Sequence, residues 1–89
     1  MGRYDDLGVD YRQAQRAQCQ LDIETRRELR TQRSEYIERI KEYKADRRNA
    51  RSQAERNELT VTINQLQSSI DELTDAIDQL TEHINYYFA

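Results

Sequence analysis

The chain has no proline and no tryptophan, only two glycines, and one residue each of cysteine, histidine and phenylalanine among its 89 residues. Each scarcity excludes something. Without proline nothing blocks long helices, and both glycines, Gly2 and Gly8, lie within the first ten residues. Cys19 alone cannot close an intrachain disulfide, so a reducing compartment is the simplest expectation. One histidine and one distant cysteine do not supply the convergent ligands of a metal centre. Leu, Ile, Val and Phe together number 17, thin stock for a globular core. No apolar run approaches the roughly 20 residues that span a bilayer. Nor does a basic start lead into a signal-peptide-like stretch, and Asp6 stands where a myristoylation signal wants Ser or Thr. The expected setting is the cytoplasm or a viral particle, with no membrane partner and no secretion by a signal peptide.

What is present is periodic. Leu59, Ile63, Leu66, Ile70, Leu73, Ile77, Leu80, Ile84 and Tyr87 recur at alternating spacings of 4 and 3. In a heptad written a to g this puts isoleucine at every a and leucine at d, a ridge that must be buried against another helix. The flanking e and g positions hold Thr60, Gln67, Thr74 and Thr81 on one side and Thr62, Ser69, Ala76 and His83 on the other. Such flanks offer no e/g ion pair to select a partner, and their small size permits packing into a wider bundle.

Upstream the pattern is sparser. Asp10 can cap a helix starting at Tyr11, which leaves residues 1–10 as a non-helical arm. From there to about Arg48 the apolar positions are Tyr11, Ala14, Leu21, Leu29, Tyr36, Ile40 and Tyr43, with Arg33 and Arg47 on the same stripe. This stripe and the downstream ridge are out of phase by two residues, roughly 200° around a helix. Between them residues 48–58 contain no large apolar side chain. Asn49 can end the first helix in a left-handed conformation, and Ser52 with Glu55 can open the second as a capping box.

Charge favours folding back. Residues 11–48 carry a net +4 and residues 53–89 a net −6, so antiparallel arms bring opposite fields together. The expected fold is all-α: an antiparallel hairpin of a basic helix, 11–48, and an acidic coiled-coil helix, 53–88, joined by a turn or register break at 49–52. The alternative is one continuous interrupted helix forming an oligomeric coiled coil.

Chemistry is poorly represented. No glycine-rich phosphate loop exists, no carboxylate pair stands apart from surface acids, and His83 reads as a residue flanking the ridge. No catalytic, cofactor-binding or metal-binding residue is assigned, and no enzymatic activity is expected. Arg47, Arg48, Arg51 and Arg56 precede the Ile/Leu ridge, an order of elements that resembles the basic-leucine-zipper family. The residues that read DNA in that family do not align, because Asn49 is followed by Ser52, Gln53 and Asn57.

The leading functional expectation is a non-enzymatic structural or assembly protein. It would self-associate or pack into a larger complex, such as a virus or phage particle, through the 59–87 ridge. Tyr86 and Phe88, off the ridge, would serve as further contacts. One alternative is a nucleic-acid-associated dimer using Arg47, Arg48, Arg51 and Arg56, and another is a small acidic regulator that binds and inhibits a protein. No small-molecule substrate is expected.

Overall fold

Two long helices follow from a chain rich in good helix formers and free of proline. The computed structural model describes the backbone of residues 2–88 and the side chains of residues 11–88. Helix α1 spans Gly2–Asn49 and α2 spans Gln53–Tyr87. They pack antiparallel as a hairpin in a molecule 77 Å long and 17 × 14 Å across, and α2, at about 52 Å, runs beside only part of α1. The 1–10 segment, expected as a non-helical arm, belongs to α1 from Gly2 onward. Gly8 costs a helix about 1 kcal/mol but does not stop it. Asp10 is therefore interior to the helix.

The connection is three residues, Ala50 to Ser52. Ala50 donates its N–H to the Arg47 carbonyl at 3.3 Å, and its own carbonyl accepts from Arg56 Nη2 at 3.3 Å. Ser52, extended at φ −130° and ψ 155°, caps α2 by accepting the Glu55 N–H on Oγ at 3.1 Å. Glu55 reaches back to accept the Arg51 N–H at 3.3 Å. This is the expected capping box, shifted by one residue at its return bond. The expected left-handed Asn49 does not occur, because no described non-glycine residue has a positive φ. The Ala50 N–H bond to the Arg47 carbonyl closes the last turn of α1 instead.

The core is a single layer between the helices. Ile40, Ile63 and Ile70 form its centre, with Tyr36, Tyr43 and Leu66 packed against them. Toward the open end Ile77 and Ile84 continue the burial from α2, and Cys19 and Asp22 from α1. All four a-position isoleucines are buried, whereas the d-position leucines are half-covered.

Candidate interaction surfaces

Burial on α1 follows a heptad that hydrophobicity alone does not show. Gln15, Cys19, Asp22, Arg26, Leu29, Arg33, Tyr36, Ile40, Tyr43, Arg47 and Ala50, again spaced 4 and 3, are buried or half-buried. Tyr11, Ala14 and Leu21, expected on this stripe, are exposed, at 66% for Tyr11 and 56% for Leu21. The stripe thus runs upstream through polar residues. Taking Cys19, Arg26, Arg33, Ile40 and Arg47 as a, the d positions are Asp22, Leu29, Tyr36, Tyr43 and Ala50.

Three of these a residues form a ladder across the hairpin. Arg26 Nη1 donates to Thr81 Oγ1, Arg33 Nη1 to Thr74 Oγ1 and Arg47 Nη1 to Thr60 Oγ1, each at 3.2 Å. Arginines and threonines both recur at multiples of seven, and in opposite directions, so the rungs fix the antiparallel register. The same register brings Ile40 level with Gln67 in the one missing rung. Arginine suits these core positions because an aliphatic stem can lie along apolar surface while the charged head reaches the edge. Thr60 and Thr81 hydroxyls donate to the carbonyls of Arg56 and Ile77, both at 2.8 Å, which leaves an oxygen lone pair for the guanidinium. Among the described residues none of these three arginines is paired with a carboxylate.

The heptad also separates the charges of α1. Arg27, Lys41 and Arg48 occupy b, and Arg16, Arg30 and Lys44 occupy e, beside the a-position arginines. Arg39 is the only basic residue of 11–48 outside this flank. The acids lie elsewhere: Glu28, Glu35 and Glu42 at c, Glu24 and Glu38 at f, Asp46 at g, and Asp22 at d. At 100° per residue, positions a, b and e form one side of a helix. One long flank of α1 is therefore basic, and α2 carries Asp71 and Asp78 at b, Glu58 and Glu72 at c, and Asp75 and Glu82 at f, all exposed. The ion pair Lys41–Glu38, at 3.1 Å, is exposed on both sides and adds little.

At the open end Asp22 is 7% exposed and accepts from Gln18 Nε2 at 3.0 Å, with His83 Nδ1 at 3.4 Å from its other oxygen. His83 also meets Tyr87 edge-on, with ring centroids 5.9 Å apart. The Tyr87 phenol is held above its ordinary pKa, first by desolvation and then by the nearby Asp22 carboxylate. A groove here is lined by Arg12, Arg16, Cys19, Ile23, Tyr87 and Phe88.

The residues singled out from sequence separate into groups. Ile63, Ile70, Ile77 and Ile84 face α1, and Leu59, Leu66, Leu73, Leu80 and Tyr87 line the same seam half-covered. Tyr86 and Phe88 stand in solvent at 75% and 74% exposure. The four arginines around the turn do not form one free patch. Arg47 and Arg56 bond within the hairpin, while Arg48 and Arg51 are exposed. Sequence reasoning missed Arg26, Asp22 and Cys19 on the seam, and with them the ladder. Threonines at three of the four e positions, matched to arginines spaced by 7 and 14, were the available signal. Among the described residues no group of three or more His, Cys, Asp or Glu is placed to hold a metal ion. No described helix is long and apolar enough to cross a membrane. No family model, no curated protein and no solved structure matches the chain.

Proposed function

We propose that this hairpin is a non-enzymatic assembly protein that self-associates through its outer surfaces, as a component of a larger complex such as a virus or phage particle. The observation that supports this reading is the division of its apolar residues. The isoleucine ridge, which needed a mate, has one in α1 of the same chain, while Tyr86 and Phe88 remain exposed beside a groove at the open end. Large exposed aromatics next to a cleft are the residue types that dominate contact energetics. An elongated hairpin with a single-layer core is built to present length and surface rather than to enclose a substrate.

Sedimentation velocity over a range of protein concentrations tests the reading. The expected result is a species heavier than one chain, shifted toward the single chain by the double substitution Tyr86→Ser and Phe88→Ser with helix content unchanged. A chain that sediments as a monomer at every concentration and salt level would overturn it.

A further inference from the structure

The basic flank of α1 and the acidic back of α2 are complementary in sign and in length. From Arg26 to Arg48 the flank extends about 33 Å, and from Glu58 to Glu82 the back extends about 36 Å, at 1.5 Å per residue. Within one hairpin these surfaces do not meet, because the seam between the helices is filled by the isoleucines and the arginine–threonine ladder. The flank is further marked by Ile37, exposed at the e position between Arg30 and Lys44. Lys41, Lys44, Arg47 and Arg48 together line a shallow groove on it.

We propose that the basic flank of α1 is a docking surface for the acidic back of α2 of a second copy of this chain. Because the two surfaces differ, each hairpin can give its flank to one neighbour and its back to the next and extend into rows, or exchange both with a single neighbour in a two-fold pair. This rests on the assembly reading above and gives it a direction. A second copy suits the surface better than a polyanion. Asp71 and Asp78 occupy b positions of α2, on the same side of the hairpin as the Arg–Thr rungs, and the chain as a whole carries −3. Both features oppose any polyanion, and what favours the acidic helix is its matched length and its presence in every copy.

Neutralising substitutions test this on the full chain. One variant carries Asp71→Asn, Asp75→Asn and Asp78→Asn, and the other Arg27→Gln, Arg30→Gln and Lys41→Gln. All six positions are exposed, and circular dichroism confirms that the hairpin remains. The wild type should associate more strongly in about 50 mM salt than in about 500 mM, where the Debye length falls below about 5 Å. Each variant alone should self-associate about tenfold more weakly or worse, since three screened pairs are lost. Mixing the variants should yield a one-to-one complex that grows no further, because only one intact flank meets one intact back. Salt-insensitive association that still depends on Tyr86 and Phe88 would overturn this proposal and leave the assembly reading standing. Tight binding of a 20-mer oligonucleotide by a chain that stays monomeric would assign the flank to nucleic acid and overturn it too. A monomer under all conditions would sink both.

Discussion

Ile77→Ala tests the energetics of the seam most directly. Ile77 is 3% exposed, lying between Thr74 and Thr81 as Leu29 lies between the arginines that bond those threonines. Truncation removes three carbons, worth about 2.4 kcal/mol at about 0.8 kcal/mol per buried methylene, and incomplete collapse of the site adds to that. A loss of about 2.5–4 kcal/mol is expected. Leu73, half-covered at d, is the internal control, and Leu73→Ala should cost about half as much. Urea melts followed by circular dichroism, in high salt to disengage lateral contacts, give both values. A two-helix hairpin has only a few kcal/mol to lose, so Ile77→Ala should leave a substantial unfolded population at room temperature. Equal effects of the two substitutions, or a cost for Ile77→Ala below about 1 kcal/mol, would refute the view that α1 supplies the ridge's partner.

Ser52→Ala should destabilise by about 1 kcal/mol and Ser52→Gly by only a few tenths, read from the same melts, because the alanine removes the acceptor for the Glu55 N–H. Labels at positions 30 and 75 should report a short distance, since the helix axes are about 10 Å apart and the two positions are nearly level, whereas a continuous rod would separate them by about 68 Å. Tyr87 has a raised phenol pKa in the fold, so its contribution is complete below about pH 10 and declines as pH rises through the higher folded value. Thermal melts above pH 10 should therefore fall more steeply for the wild type than for Tyr87→Phe.

How much of this was legible depended on how a position was filled. The α2 ridge could be read because isoleucine and leucine occupy every a and d, and all four isoleucines are buried. The turn was visible as an apolar gap, and Ser52 and Glu55 form the cap that their spacing suggests. On α1 the reading followed hydrophobicity to Tyr11, Ala14 and Leu21 and missed the stripe that continues through Arg26, Asp22 and Cys19. Burial there is decided by register with α2, and a side chain with an apolar stem or a satisfied polar head can occupy a seam position that hydropathy scores as surface. The start of α1 was misplaced for a simpler reason: a good cap residue followed by a capping-box partner also occurs inside helices, as Asp10 does.

The arginines on the seam bear on why α2 pairs with α1 at all. Two α2 helices could bury isoleucine against isoleucine, a more apolar contact than the one observed. They would also juxtapose two −6 segments and leave the e-position threonines without cationic donors. Pairing with α1 gives three of those threonines a guanidinium each, and the three-residue connection makes the encounter intramolecular, at an effective concentration on the order of millimolar or higher. Register is fixed by the same rungs, because a slip of one heptad would bring Ile40 opposite a threonine and an arginine opposite Gln67. The polar seam of α1 therefore gives up apolar burial and in return selects its own α2 in one alignment. That alignment holds the acidic residues on the outside of α2 and the basic residues on one flank of α1, and so leaves the outer charge pattern available for contact between hairpins.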